Sequence, residues 1–184
     1  MELTDGYVTV RTPVEADARE VADAVQTALD TLAPWMPWAT EDYGPEHALQ
    51  WIRSELEPGA VPFVILDDEG GIAGSTGLNL IDRQNLRANL GYWLLPDRTG
   101  RGYATAATRL VAAWGLDHLG LERIEIVMSV ENEPSRLVAE RAGARYEGVQ
   151  RARLRYGDRQ HDAHVFAFLA DGHRPPTGAP YRDE

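Results

Sequence analysis

Apolar positions recur along this chain with two different periods, and the switches between them mark its elements. Residues 7–12 (Tyr-Val-Thr-Val-Arg-Thr) alternate and predict a strand. From Pro13 the period lengthens: Ala16, Val21, Ala24, Val25 and Leu29 recur at helical spacing. A second helix is predicted from Pro45 to about Leu56, with Ala48, Trp51, Ile52 and Leu56 as its apolar face. Pro58-Gly59 breaks the chain. Residues 61–67 and 72–81 then read as strands about an Asp68–Gly71 turn, and 88–95 as a third strand after a turn at 82–85. A helix follows with Ala104, Ala107, Leu110, Val111 and Trp114 on one face, stopped by Gly120. Residues 122–130 alternate again. A short helix opened by Asn132–Ser135 runs to Arg141, and two strands, 145–156 and 161–169, close the pattern. The count is a mixed-sheet α/β layer protein.

Residues 1–170 read as a single domain. From Asp171 glycine, proline and charge replace all periodicity, so 171–184 is expected to be a loose tail. The chain has 184 residues, the usual size of one domain. No apolar run approaches the roughly 20 residues of a membrane span, and the first residues lack the features of a secretory signal. A cytoplasmic protein is expected. The net charge of −11 argues against nucleic acid, whose phosphates want a basic face. It favours a cationic partner such as an amine. All 18 basic residues are arginine, so no lysine can serve as a base or form a Schiff base. With no cysteine, a thiol-based acyl-enzyme is excluded.

Candidate chemistry concentrates where the third strand meets the long helix, at Gly91-Tyr92-Trp93-Leu94-Leu95-Pro96-Asp97-Arg98-Thr99-Gly100-Arg101-Gly102-Tyr103-Ala104-Thr105. Glycines let the backbone approach an anion, and the first turn of a helix offers it free N–H groups. The stretch reads as a pyrophosphate cradle. It is not a Rossmann fingerprint, whose spacing differs, and it is not a Walker loop, which needs lysine. Alone, Gly100-Arg101-Gly102 is also what any tight turn looks like.

The joint order of five segments resembles the GNAT superfamily of acyl-CoA N-acetyltransferases, in its RimJ/RimL-like branch, from about residue 7 to 169. These are Leu32–Trp38, Gly91–Pro96, Thr99–Thr105, Glu131–Arg136 and Ala142–Gly148. The resemblance implies an α/β (α+β) fold with a mixed, mostly antiparallel sheet of about seven strands, splayed in the middle and flanked by about four helices. It implies that acetyl-CoA is the co-substrate, with no metal. Amides of Gly100, Arg101, Gly102, Tyr103, Ala104 and Thr105 would hold the pyrophosphate. The backbone of Trp93, Leu94 and Leu95 would pair with the pantetheine arm, and Asn132 would also bind that arm. Ser135 would protonate the departing thiolate; the alternative is that it only caps the helix that Pro134 begins.

Three positions depart from the family pattern: Thr99 replaces Gln or Arg, Asn89 replaces a frequent glutamate base, and Ala139 replaces a frequent tyrosine acid. The base is therefore open. Asp82 leads, with Glu41 and Tyr43 behind it; the plainer reading of each is a solvated turn residue. Trp35 and Trp38 read as walls of an acceptor cleft or as core, and Tyr43 joins them as an acceptor contact. Trp93 and Trp114 also suit a core, and Tyr103 either stacks on the cofactor or packs. His161 and His164, three apart in a strand, fall on opposite faces and make no shared ligand pair. The expected activity is acetyl transfer from acetyl-CoA to a primary amine, on a protein N-terminus or a small molecule, by direct attack. A CoA-binding sensor without catalysis, or use of succinyl-CoA, are the alternatives. A homodimer is compatible with the sequence.

Overall fold

The computed structural model describes residues 1–170; the expected loose tail, 171–184, lies outside the described residues. Its frame is one eight-stranded sheet. The strands are β1 (Glu2–Thr4), β2 (Thr9–Arg11), β3 (Val61–Leu66), β4 (Ile72–Asp82), β5 (Arg87–Leu94), β6 (Arg123–Ser129), β7 (Arg145–Tyr156) and β8 (Arg159–Leu169). They lie in the order β1-β2-β3-β4-β5-β6-β8-β7. Every neighbouring pair is antiparallel except β5 and β6, which run parallel because a helix carries the chain between them.

Among the described residues, five α-helices cover the two faces. α1 (Ala18–Thr27), α2 (Leu29–Leu32) and α3 (Pro45–Ile52) lie on one side; α4 (Tyr103–Leu119) and α5 (Glu133–Ala142) lie on the other. Alternation on β3 divides the core between them. Phe63 and Ile65 join the cluster under α4, whereas Val64 joins the cluster under α1 and α3. A strand buried on both faces needs apolar residues at consecutive positions, and Phe63-Val64-Ile65 supplies them.

Three elements differ from the sequence expectation. β1 adds a strand that three residues, two of them polar, do not announce. The first helix starts at Ala18 rather than Pro13, because Asp17 holds the preceding turn: its carboxylate accepts the Val14 N–H at 2.7 Å and pairs with Arg11 at 2.7 Å. α3 ends at Ile52, so Leu56 lies beyond it and is 69% exposed rather than on an apolar face.

Close approaches set the positions of β4 and α4. A Cβ on Gly74 would meet the Trp93 carbonyl oxygen at 2.1 Å, so β4 and β5 sit too close there for any side chain. On α4, Gly115 lets the helix settle against the ends of Leu78 and Ile124, which a Cβ would meet at 2.8 and 2.7 Å. That helix starts just after Gly102 and stops at Gly120, both in the left-handed region (φ 84° and 65°).

Candidate active site

β5 and β6 pair only from Arg87 to Asn89, opposite Arg123 to Glu125. Beyond that point, among the described residues, β5 bonds only to β4, and β6 only to β8. The sheet therefore opens into a gap, with the β6-facing backbone of Leu90 to Leu94 along one edge. An unpaired strand edge is a template for another extended chain.

The edge leads directly into the glycine loop. A turn at Pro96–Arg98 reverses the chain; Thr99 Oγ1 donates to the Pro96 carbonyl at 2.8 Å and so serves the turn. Gly100 and Gly102 both take positive φ, 74° and 84°. The first bond into α4 comes from Ala106 N to Gly102 O at 3.0 Å. The amides of Tyr103, Ala104 and Thr105 precede it and find no acceptor among the described residues. Tyr7 steadies the loop: its hydroxyl donates to the Arg101 carbonyl, and its ring lies 5.8 Å from that of Tyr103. Tyr103 itself is buried and packs, with its hydroxyl on Asp68 at 3.2 Å. Arg98 ties the loop back to Asp67 of the β3–β4 turn at 3.1 Å.

Across the gap stands the start of α5. Asn132 is its cap: its Oδ1 accepts the Ser135 N–H at 3.2 Å. Ser135 is thus not the cap, and its hydroxyl points elsewhere. It lies 3.0 Å from the Tyr92 hydroxyl, which also donates to the Ser135 carbonyl at 2.9 Å. Burial pushes the Tyr92 phenol up to about 12, against the opposing effect of its bond to Ser135, so it stays neutral and keeps its proton. The sequence points to the backbone of Tyr92–Leu95 and not to the Tyr92 side chain. Its place in the apolar run Gly91–Leu95 hides a side chain that alternation turns towards α5.

On the opposite face of the sheet lies a largely apolar cleft of about 430 Å³. Trp38, Tyr43 and Trp51 form its wall, and Gly91, Trp93 and Asn79 its floor. Trp38 and Tyr43 pack together with centroids 5.5 Å apart, and Tyr43 stacks on His47. Trp35 is not among the lining residues; it meets Tyr156 edge-on at 6.2 Å, outside the cleft. Trp114 lies in the core against Phe63 at 5.5 Å. The structure therefore gathers Trp38, Tyr43 and Trp93 and separates Trp35 from them.

The base candidates stand in different surroundings. Asp82 accepts from Gln84 N, Asn85 N, Asn85 Nδ2 and Arg87 Nε, all within the β4–β5 turn. The Asn85 side chain and amide hold its carboxyl below the usual range. Its lone pairs serve the turn. Glu41 is exposed. Burial pushes the Tyr43 phenol up to about 12, which leaves it neutral and a poor proton acceptor near pH 7. His161 faces Ser129 at 3.2 Å and His164 faces Tyr146 at 3.1 Å, so the two share no site.

A splayed parallel pair, an amide-rich loop at a helix start and a polar group across the gap define a coenzyme A-dependent acyltransferase. The chain belongs to the acetyltransferase (GNAT) domain family, whose sequence pattern matches residues 8–145. It is an N-acetyltransferase of the acyl-CoA-dependent class. It is 29% identical over 168 residues to YdaF of Bacillus subtilis (strain 168), provisionally named a ribosomal N-acetyltransferase, covering 89% of this chain and 91% of that one. Mycobacterium smegmatis RimJ, solved with CoA-disulfide, is 29% identical with a TM-score of 0.78, over 92% of this chain and 86% of that one. RimL, a ribosomal L7/L12 α-N-protein acetyltransferase solved with coenzyme A, shares the fold at 19% identity. Its TM-score is 0.84, over 94% of this chain and all of that one.

Proposed function

We propose that this enzyme transfers the acetyl group of acetyl-CoA to a primary amine seated in the aromatic-walled cleft, the acceptor being a protein N-terminus of the ribosomal type. The opening between β5 and β6, flanked by the loop on one side and the cleft on the other, carries the reading. Amides at the start of α4 would take the pyrophosphate, where the helix dipole favours negative charge. The free edge of Trp93 and Leu94 would pair with the pantetheine arm, whereas the Leu95 N–H bonds to Ala73 of β4 and its carbonyl accepts from Arg98 in the turn; the Asn132 side chain, with only its Oδ1 engaged among the described residues, would bind the arm from across the gap. A backbone N–H of β5 would stabilise the oxyanion that forms as the amine attacks.

The amine's lone pair forms the C–N bond, and the C–S bond breaks with its electrons on sulfur. Ser135 would protonate that sulfur, with Tyr92 fixing its hydroxyl. The Trp38 and Tyr43 rings would hold the acceptor's apolar part. The ribosomal names of YdaF and RimL support a protein acceptor, and such an acceptor puts the reaction in the cytoplasm. Among the described residues, no helix is long and apolar enough to cross a membrane.

The test mixes the protein with acetyl-CoA and, separately, peptides beginning with serine or alanine, a polyamine and an aromatic amine, and follows free thiol. Thiol release with the peptides is expected. Release only with small amines would move the acceptor to that class, and none with any acceptor would overturn the reading.

A further inference from the structure

The proton leaving the acceptor amine needs a destination that Ser135, Tyr92 and the turn-bound Asp82 do not provide. Asn89 is the last residue of β5 paired to β6, and its partner in register is Glu125. Partners in register project from the same face of a sheet. Both residues line a second cleft, of about 360 Å³, at the point where the strands part. Asn89 Nδ2 donates to Asn79 Oδ1 at 2.8 Å, and Asn79 belongs to the floor of the acceptor cleft. A polar row, Asn79–Asn89–Glu125, thus crosses three strands from the acceptor cleft to the mouth of the gap. Glu125 is the carboxylate in that row.

Its surroundings hold it still without using it up. Glu125 Oε1 accepts from Arg123 Nε at 2.7 Å, and no bond engages Oε2 among the described residues. Arg123 gives its other two nitrogens to Glu147, so one guanidinium is shared by two carboxylates. The Glu125 side chain is 16% exposed, which shields it from bulk water. The other charged groups lining the cleft are Arg87 on β5 and Arg153 on β7.

We infer that Glu125 receives the proton of the acceptor amine, directly or through one water. The inference rests on the acetyl transfer proposed above. As the nitrogen attacks and the C–S bond breaks, the ammonium proton passes to Glu125 and the sulfur takes its proton from Ser135, whose oxygen regains a proton from solvent. Glu125 then releases its proton to solvent. A positioned base of this kind typically contributes about 10²- to 10⁴-fold to rate. Glu125→Gln keeps the acceptor atom for Arg123 and removes only the basic oxygen.

The experiment first establishes thiol release by the unaltered protein with its best acceptor from the panel; no release there would sink acetyl transfer itself. With release established, Glu125→Gln at pH 7 is expected to lower kcat/KM about 100-fold while calorimetric acetyl-CoA affinity stays within about 2-fold. The deficit should shrink towards pH 10, where the amine arrives already deprotonated; a structural defect would not follow pH in this way. Adding Asn89→Glu to that variant moves the carboxylate one strand across, and is expected to restore at least about 10-fold of the lost rate. A kcat/KM within about 3-fold of the parent, or a deficit unchanged with pH, would overturn the assignment. Where Glu125→Gln fails to fold, by thermal melting, Glu125→Asp decides on the same criterion. A loss that fades with rising pH supports the role, and a pH-independent loss overturns it.

Discussion

The Tyr92 hydroxyl, on the central strand, lies 3.0 Å from the Ser135 hydroxyl, at the start of the helix across the open gap. This contact crosses the sheet where its backbone bonds stop. It gives Ser135 a partner that holds its proton in place and leaves capping to Asn132.

Ser135→Ala should therefore lower kcat about 100-fold with little change in acetyl-CoA affinity, because it removes a proton donor and not a binding contact. Tyr92→Phe keeps the ring and loses the orienting bond, and a smaller loss of about 10-fold is expected. Steady-state kinetics with calorimetry separates the two effects. Undiminished turnover in Ser135→Ala would remove Ser135 from the mechanism.

Stability at alkaline pH should report Tyr92 and Tyr43 together. Both phenols are raised from 10.0 to about 12 by burial, so the folded state holds these protons more tightly than the unfolded chain. The stability they confer is complete below pH 10 and is lost as pH climbs through about 12. At 1.4 kcal/mol per unit, each phenol accounts for a loss on the order of 3 kcal/mol over that window. Urea unfolding at pH 8, 10 and 11.5 should show the decline, and it should be shallower in Tyr92→Phe.

Gly74→Ala should destabilise the protein by about 1–3 kcal/mol, since the new methyl meets backbone that cannot step aside. Thermal melting reads this directly. A melting point equal to that of the parent would mean that β4 and β5 are further apart than 2.1 Å of clearance implies.

Trp38 and Trp35 sit three residues apart and should behave differently. Trp38→Ala removes a wall of the cleft and is expected to raise KM for the acceptor about 10-fold, leaving KM for acetyl-CoA unchanged. Trp35→Ala removes an edge-on contact with Tyr156 and should lower stability while leaving acceptor KM within about 2-fold.

The pair of tryptophans shows where a sequence is readable and where it stops. Prolines 34 and 37 announce a segment outside regular structure, but not which ring turns inward. The glycine loop was legible because its chemistry is local: positive φ and a helix start occur within six residues. The gap beside it was not derivable from periodicity, since alternation looks the same on a paired strand and a free one; only family resemblance pointed to it. Glu125 was hidden for a related reason. In Arg123–Ser129 it is one polar position of an ordinary half-buried strand, and only the register opposite Asn89 sets it at the mouth of the gap. Asp82 drew notice as an acid at a strand end, yet such an acid is also what a tight turn uses to bind its own amides.

Hydrogen exchange with and without CoA tests the location of the cofactor most directly. CoA should protect backbone amides within Leu90–Leu94 and those of Tyr103, Ala104 and Thr105, and leave the β3–β4 pairing unchanged. CoA binding that protects neither segment would contradict the placement of acetyl-CoA in the gap between β5 and β6.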